Sequence, residues 1–448
     1  MHRYIPLTET EKQQMLRAVG VSSMEDLFAS IPASLRLKRP LCLPEPLGEL
    51  DVERRMTELE RQNVEPRLCF LGAGAYYHHI PAHVGQLASR SEFLTAYTPY
   101  QPEVSQGTLQ AIFEFQTMIC QLTGLDVANA SMYDGASATA EAMLMANRAN
   151  GRGTFLLARS LHPEYRQVCR TYAANLGFKL VETGSTPQGT TDLDAAAATA
   201  GPDLAAIIMQ SPNFFGCLED WSAASALAKK HGALSIAVVA EPLSLAIAKS
   251  PGECGCDIAV GEAQSFGVPI SFGGPYLGFM AALDKHVRNM PGRLVGQTVD
   301  RNGRRGFVLT LATREQHIRR EKATSNICTN EGLCALMATI YLATLGRHGL
   351  RDLAVLNLSL ASYARKTIAA SKTLRLRFHA AGFNELVVEL RGPAAPAHRK
   401  LLDKGIVAGL PLGGFYPELS RCLLLYVQET TRKEDIDELV HELDGLDS

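Results

Sequence analysis

The 448-residue sequence has almost no excess of charge, no long apolar run and no regular spacing of its ten cysteines. Its formal net charge of −2 argues against the basic surface that nucleic-acid-binding proteins present. No apolar run reaches the ~18–20 residues that a membrane-spanning helix needs, so no membrane partner is expected. The cysteines lack the paired spacing of a zinc site, and we expect them to be reduced. No metal is predicted.

The first residues lack both the apolar core of a signal peptide and the acid-poor, Arg- and Ser-rich composition of a transit peptide. Two glutamates follow within the first dozen positions. We therefore expect a cytoplasmic protein. His78, His79 and His83 suggest a metal site at first sight, but Pro81 removes the helical register that would align them. A turn is the preferred interpretation of this segment.

Hydrophobic patterning divides the chain into three parts. Residues 1–65 predict a helical N-terminal arm, in which apolar residues recur at three- and four-residue steps before prolines interrupt them. Residues 66–310 alternate short apolar strands with helices, which is typical of a large domain built on a buried, mostly parallel sheet. Residues 311–448 repeat the alternation and predict a smaller C-terminal α/β domain. The predicted strands of the large domain include 154–158, 178–181, 205–209, 235–239, 257–260 and 277–281.

The final helix has the clearest local signal. Thr431 and Glu434 have the spacing of a capping box, in which each side chain bonds the backbone of the other residue. Apolar residues then follow at the i, i+3, i+4, i+7 spacing of one helix face. They are Ile436, Leu439, Val440 and Leu443.

One segment of small residues could hold a phosphate. In the segment 134–141, small residues open a helix, and backbone N–H groups with the Ser137 and Thr139 hydroxyls could bind an anion at its N-terminus. A plain helix start among small residues explains the same pattern. The sequence leaves both interpretations open.

Four stretches of the chain carry a family resemblance. They are YTPYQPEVSQG (97–107), FQTMICQLTGLDVANASMYDGASATAEAM (115–143), GEAQSFGVPISFGGPYLGF (261–279) and EKATSNICT (321–329). Together they closely resemble the P-protein family, pyridoxal-phosphate (PLP) glycine decarboxylases, and the resemblance covers essentially the whole chain. In many organisms the P-protein is one chain of about twice this length with two related halves, and in others the halves are separate subunits. This sequence resembles the first, alpha half.

The resemblance implies a fold and a reaction. The fold is α/β, of the PLP-dependent transferase fold type I (aspartate-aminotransferase-like), with a large parallel-sheet domain and a smaller C-terminal domain. The implied complex pairs this chain with a beta chain, P-protein subunit 2, as a heterodimer or heterotetramer. That complex decarboxylates glycine on PLP and transfers the aminomethyl group to the oxidised lipoyl arm (lipoate) of the H-protein.

The residue expected to hold PLP is missing. PLP enzymes hold the cofactor through a lysine amine, and in the beta half of the family that lysine lies in a His-Lys-Thr-Phe motif. The corresponding stretch here is 263–266, in which Gln264 stands at the lysine position and forms no imine. Glu241 follows the strand 235–239 as a candidate counterpart of the family's pyridine-binding Asp, with the register open to one residue. We therefore expect no catalytic residue in this chain alone, and PLP on the partner.

The fold type places its active site at a dimer interface, where each subunit lends loops to the other. The resemblance therefore implies contacts from this chain to the partner's cofactor site. The candidates are Tyr97, Tyr100, Gln101, Ser325 and Asn326. They would position the glycine or the phosphate. Simple packing of these loops against the partner explains the same residues and stays open.

Two rival functions remain. A self-sufficient PLP enzyme would use another lysine, for which Lys249, Lys285 and Lys322 are available. A structural scaffold would order the beta chain without contacting substrate. A chain that completes its partner's active site lies between these two, and it is the interpretation that we adopt.

Overall fold

The computed structural model describes residues 4, 6–314, 316–325, 327 and 329–446, and the chain divides into two compact units, one ending at Val64 and the other beginning at Glu65. The first unit contains α1 (Glu9–Val19), a 3-10 turn and α2 (Glu49–Glu60). Its first helix begins at a capping box, because the Thr8 hydroxyl accepts the Glu11 N–H and the Glu11 carboxylate accepts the Thr8 N–H. Many of its large apolar side chains are exposed, among them Val19, Leu35, Leu43, Leu50 and Val64.

The second unit alternates strands and helices along the chain. Its strands are β1 (Leu68–Cys69), β2 (Val127–Ala128), β3 (Thr154–Ala158), β4 (Lys179–Thr183), β5 (Leu204–Gln210), β6 (Leu234–Val239), β7 (Ile258–Glu262), β8 (Gly278–Ala282), β9 (Leu294–Val299), β10 (Arg305–Thr310), β11 (Arg375–Leu376), β12 (Glu385–Glu389), β13 (Ile406–Val407), β14 (Leu410–Pro411) and β15 (Cys422–Tyr426). Its helices are α3 (Ala82–Ala88), α4 (Ser91–Leu94), α5 (Gln106–Thr123), α6 (Gly135–Asn150), α7 (Pro163–Ala174), α8 (Leu193–Thr199), α9 (Trp221–Lys230), α10 (Gln316–Arg319), α11 (Gly332–Ala370), α12 (Ala394–Leu402) and α13 (Lys433–Leu446).

A seven-stranded sheet forms the centre of this unit, with the strand order β2-β8-β7-β6-β5-β3-β4. Strands β3 to β7 run parallel, and β8 runs antiparallel to both β7 and β2. The six predicted strands are confirmed to within about two residues at each end, a tolerance normal for strand boundaries. The predicted parallel α/β architecture is therefore confirmed.

Successive residues of each central strand enter two different hydrophobic cores. In β6, Ile236 and Val238 belong to one core, and Ala237 and Val239 belong to the other. Helices α6 and α7 cover the first core, whereas α5, α9 and the start of α11 cover the second. Burial on both faces explains why these strands read as continuous apolar runs instead of alternating ones.

A second, four-stranded sheet with the order β11-β12-β15-β14 is antiparallel throughout and packs with α12 and α13. Helix α11 leads into it and bends at Gly346, whose φ of 59° is left-handed and suits glycine. Among the described residues, α11 is also the one helix whose length and composition would allow it to cross a membrane. A helix of a hydrophobic core passes the same test, and 44% of its most apolar window is buried within the protein. The proposed domain boundary at residue 310 stays a prediction.

The predicted capping box of the final helix is wrong by one position. Helix α13 begins at Lys433, so Thr431 lies outside the capping position. The Thr431 hydroxyl instead accepts the N–H of Gln428, at 3.2 Å. The Asp435 carboxylate accepts the N–H of Arg432, at 2.9 Å, and so performs the task predicted for Glu434. The predicted apolar face is confirmed, because all four of its residues are buried.

Candidate functional site

The carboxyl ends of β6 and β7 lie side by side and face the start of α6. Glu241 follows β6, Glu262 ends β7, and Gln264 comes two residues later. All three side chains are buried. Ligands of open parallel sheets bind in the crevice outside the carboxyl ends of the strands, so this is the candidate site of the fold.

Gln264 is held by hydrogen bonds at both ends of its amide. Its Oε1 accepts the N–H of Tyr76 at 2.9 Å, and its Nε2 donates to the carbonyl oxygen of Val268 at 2.7 Å. The backbone N–H of Gln264 donates to Glu262 Oε1 at 3.1 Å. The side chain is therefore a fixed structural link between the loop at residue 76 and the turn after β7.

The Glu262 carboxylate sits at the N-terminus of α6. Its Oε2 accepts the N–H of Gly135, the first residue of that helix, at 3.0 Å. Its Oε1 accepts the N–H of Leu277 at 2.7 Å. Burial raises the pKa of Glu262 to about 7, although these N–H groups oppose the rise and only Asp134 adds to it.

Asp134 closes the same helix start from the other side. Its Oδ1 accepts the N–H of Ser137 at 2.7 Å, and the Ser137 hydroxyl accepts the Asp134 N–H at 3.2 Å. Thr139 does not face a ligand, because its hydroxyl donates to the Gly135 carbonyl within the helix. The segment 134–141 is thus a capped helix start, in which the N–H groups of Gly135 and Ser137 donate to carboxylates of this chain.

Tyr165 lies against Gly135, and its stacking partner His162 lies against Gly74. The ring of Tyr165 stacks on the ring of His162, with the centroids 4.7 Å apart and the planes 30° from parallel. His162 Nε2 lies 2.8 Å from the Ala73 carbonyl oxygen and Nδ1 accepts the N–H of Glu164, which fixes the neutral ring. Burial lowers the pKa of His162 and favours that neutral form.

Glu241 is engaged by a buried histidine. His78 Nε2 lies 3.1 Å from Glu241 Oε2, and His78 Nδ1 lies 2.9 Å from Glu429 Oε2. Although burial opposes the charged form, Glu241 and then Glu429 raise the pKa of His78 to about 10. A protonated His78 donates to both carboxylates. The predicted turn at His78 therefore carries an ion triad, which joins the sheet edge to the segment after β15.

A second buried carboxyl group holds the same loop. Glu385 Oε1 accepts the N–H of Ala73 at 2.7 Å, and Glu385 Oε2 accepts the Tyr76 hydroxyl at 3.0 Å. Burial raises the pKa of Glu385 to about 8, so this carboxyl retains its proton at neutral pH. Together with the His78 triad, it fixes the loop that supplies one partner of Gln264.

An open pocket of about 320 Å³ lies next to Gln264. The loop 76–80 forms one wall, and the turn 264–270 forms the other. Beyond it, Phe272 is fully exposed at the tip of a turn in which Ser271, Phe272, Gly273 and Gly274 all have positive φ. This glycine-rich turn projects from the candidate site towards solvent.

The predicted cross-interface tyrosines lie on the loop that leads into α5. Tyr97 is 78% exposed, and its ring lines a pocket of about 270 Å³ together with the starts of α5 and α11. The Tyr100 hydroxyl accepts a hydrogen bond from Arg293 at 2.8 Å, and the same guanidinium lies over its ring at 5.1 Å. Gln101 is exposed. Tyr100 is therefore anchored within its own chain, whereas Tyr97 projects from it.

The other predicted contacts lie after α10. Ser325 is partly buried, hydrogen-bonds to Glu141 and accepts the N–H of Ile327 at 3.2 Å. Asn326 lies outside the described residues. Next to Ser325 is a basic pocket of about 280 Å³, whose lining side chains include Arg288, Arg314, Arg319, Lys322 and Thr324.

None of the alternative lysines reaches Gln264. Lys285 pairs with Asp257 at 2.9 Å, below the opposite end of β7. Lys249 is exposed after the 3-10 turn that follows Glu241. Lys322 lines the basic pocket, which shares no lining residue with the pocket beside Gln264.

Sequence reasoning missed three residues of the site. Glu262 carried a usable signal, since it is a carboxylate at the end of an apolar strand and two residues before Gln264. Tyr165 and His162 carried none, because a histidine and a tyrosine at the start of a helix are ordinary surface residues in a sequence. Only the folded chain shows that both are buried next to α6.

Comparison with known families and proteins gives consistent matches along the whole chain. The family model described as "Glycine cleavage system P-protein" matches residues 2–443. A protein of Moorella thermoacetica named "Probable glycine dehydrogenase (decarboxylating) subunit 1" is 54% identical over 443 residues, which are 99% of each chain. A protein of the same name from Desulforamulus reducens is 49% identical, over 99% of this chain and 100% of the relative.

Solved structures share the fold. A crystal structure of glycine decarboxylase (P-protein) of the glycine cleavage system, in inhibitor-bound form, has a TM-score of 0.89 and 45% identity, over 99% of both chains. A sphingosine-1-phosphate lyase of Burkholderia pseudomallei has a TM-score of 0.65 and 16% identity, over 93% of this chain and 95% of that one. At that identity the likeness concerns the fold alone. The predicted PLP-dependent transferase fold type I is confirmed.

Proposed function

Because this chain belongs to the glycine cleavage system P-protein family, we propose that it is the alpha subunit of a two-chain glycine decarboxylase and completes a cofactor site held by its partner. The observation that carries the proposal is the locked amide of Gln264 at the carboxyl edge of the sheet. In the assembled enzyme PLP would serve as the electron sink for the loss of carbon dioxide from glycine. The remaining aminomethyl group would pass to the lipoyl arm of the H-protein.

The residues of this chain do not fit PLP held by the chain itself. An amide forms no imine, and both ends of the Gln264 amide are already hydrogen-bonded. The first N–H of α6 is bound to Glu262, and the Glu241 carboxylate is paired with His78. The lysine is therefore replaced, and the helix N–H and the acidic residue that would bind the phosphate and the pyridine nitrogen already have partners within this chain. This supports the binding of PLP on the beta chain.

What this chain offers a partner is a set of exposed loops. Tyr97 and Gln101 extend from the entry to α5, and Phe272 extends from the turn beyond Gln264. The basic pocket with Lys322 adds positive charge beside Thr324, a combination suited to an anionic group. These features favour contacts to the partner's cofactor or substrate. A purely structural scaffold would need neither hydroxyls nor cations at these positions.

Reconstitution with the second subunit tests the proposal. We expect the isolated chain to show no cofactor absorption band and no exchange of labelled bicarbonate into glycine. Mixed with the beta chain, PLP and lipoylated H-protein, it should restore both signals. The beta chain alone is the matched control, and it should bind PLP with little exchange activity. A cofactor band with activity in the isolated chain would refute the proposal and return attention to Lys249, Lys285 and Lys322.

Paired tyrosine variants distinguish a contact across the interface from loop anchoring. In the reconstituted enzyme, Tyr97→Phe should lower kcat/KM for glycine by about tenfold, because a lost hydrogen bond costs about 1–1.5 kcal/mol. It should leave the unfolding midpoint of the isolated chain unchanged, since the Tyr97 ring is exposed.

Tyr100→Phe is the comparison, because it removes the bond from Arg293 but keeps the ring under the guanidinium. We expect it to weaken assembly with the beta chain and to leave the kinetics of the assembled complex within about twofold. If neither variant changes turnover or glycine affinity, the tyrosines only pack the interface.

A further inference from the structure

Basic side chains converge on a pocket that is separate from the candidate site beside Gln264. This basic pocket has a volume of about 280 Å³. The described part of its wall includes four cationic residues and two threonines, which are Arg288, Arg314, Arg319, Lys322, Thr313 and Thr324. The pocket beside Gln264 contains none of them. Cations and hydroxyl groups around one cavity are the donors that bind an anionic group.

The chain orients two of the guanidinium groups through its own carbonyl oxygens. Arg314 donates to three of them, those of Met290, Leu311 and Gly292. Arg319 Nε donates to the carbonyl oxygen of Thr313 at 3.2 Å. A carbonyl oxygen is a neutral acceptor, so these bonds set the direction of each guanidinium without reducing its positive charge. The backbone therefore holds both cations in place at the pocket.

The positive charges around the pocket lie close enough to act on one another. Burial lowers the pKa of Arg148, and Glu141 opposes this fall, whereas Arg314 adds to it. Arg148 donates to the carbonyl oxygen of Asn289 at 3.0 Å, one residue along the chain from Arg288. Like charges at short range repel each other. An anion bound among these cations would relieve the repulsion.

The segment that supplies most of these cations has an unusual backbone conformation. Leu311 and Arg320 have φ angles of 53° and 52°, in the left-handed region that bulky residues rarely adopt. Such conformations persist where the surrounding structure holds them, and they are concentrated at active sites and ligand-binding sites. The two strained residues flank Thr313, Arg314 and Arg319, all of which line the pocket.

We infer that the basic pocket is an anion-binding site of this chain, and that its ligand is a phosphate group, either free or carried by a small molecule. A phosphate dianion offers three or more acceptor oxygens, whereas a carboxylate has one charge and two oxygens. The phosphate is therefore the better match for several cations around one cavity. The inference does not rely on the proposed function, because the isolated chain should bind the ligand.

Titration of the isolated full-length chain with inorganic phosphate tests this site. In calorimetry at ionic strength matched with chloride, we expect saturable binding to the wild type. Arg319→Gln/Lys322→Gln should bind phosphate about tenfold more weakly, because each exposed cation contributes about threefold to the affinity. Arg301→Gln/Lys230→Gln is the matched control and should bind as the wild type does. It also removes two exposed cations, but from positions outside the described wall of the pocket.

Two results would overturn the inference. One is the absence of saturable binding to the wild type, and the other is equal weakening in the two double variants. Because Arg319→Gln also removes the bond to the Thr313 carbonyl, Lys322→Gln alone covers the case in which the loop rearranges. It should still weaken binding about threefold. An unchanged affinity in this single variant would count against the site as well.

Reconstitution with the beta chain distinguishes the two sources of the phosphate. If PLP carries it, Arg319→Gln/Lys322→Gln should raise the PLP concentration needed for half-maximal glycine exchange, and inorganic phosphate should compete with PLP. If a free small molecule carries it, the PLP requirement should equal that of the control variant. The calorimetric result stands even where reconstitution fails, so the site and the proposed function are tested separately.

Discussion

His78→Ala is expected to destabilise the folded chain by about 3–5 kcal/mol, the cost typical of removing one partner from a buried ion pair. Glu241 and Glu429 both direct a carboxylate oxygen at the His78 ring, at 3.1 and 2.9 Å. Without the imidazolium, two negative charges would remain buried near each other with too few donors. Because Glu241 follows β6 and Glu429 follows β15, the loss would loosen the large sheet from the small one.

The adjacent residue supplies a matched control for this experiment. His79 is exposed, and its backbone N–H donates to Glu429 Oε1 at 2.7 Å. His79→Ala keeps that bond and should change the free energy of unfolding by less than about 0.5 kcal/mol. Equilibrium unfolding in urea measures both variants. Equal destabilisation by the two substitutions would mean that the triad does not hold the loop.

The second large effect is a loss of stability in alkaline solution. The pKa of His78 is about 10 in the folded chain, against an ordinary value of 6.5. Since the folded pKa is the higher one, the stabilisation is complete below pH 6.5 and disappears as the pH rises through 10. At about 1.4 kcal/mol per pKa unit, the loss amounts to roughly 4–5 kcal/mol over this window.

Two buried carboxyl groups act in the same direction. The pKa values of Glu262 and Glu385 are raised to about 7 and about 8, so their folded forms hold a proton that the unfolded chain releases at lower pH. Their contribution to the free energy of unfolding falls between pH 4.5 and 8 and is constant above pH 8. Comparison with His78→Ala isolates the contribution of His78 to the pH dependence of the free energy of unfolding. The difference in the free energy of unfolding between the wild type and this variant should become smaller from pH 6.5 to 10. A constant difference would contradict the raised pKa of His78.

Local patterns predicted the elements of the fold but not the partners of the buried charges. The strands of the central sheet were predictable because a strand covered on both faces must be apolar along its length, as β5 and β6 are. The capping box was misplaced, because Thr431 and Glu434 have the spacing of the cap rule, whereas only the folded chain shows that the helix begins at Lys433 and that Asp435 accepts the Arg432 N–H.

Distance along the chain explains the remaining failures. His78 and Glu429 are separated by 351 residues, and Tyr100 and Arg293 by 193, so no local sequence pattern predicts either pair. Gln264 was identified from the resemblance alone, since a glutamine after an apolar strand is otherwise unremarkable. Its two hydrogen-bond partners and the carboxylate of Glu262 emerged only from the structure.

The exposed apolar side chains of the first unit bear on how a cell balances two subunits made separately. Leu35, Leu43 and Val64 are at least 72% exposed, so the N-terminal arm presents large aliphatic side chains to solvent. Chaperones and proteases act on exposed apolar segments. Copies of this chain made in excess of its partner would therefore be open to removal by both. Removal of unpartnered copies would keep the amount of this chain matched to the amount of its partner.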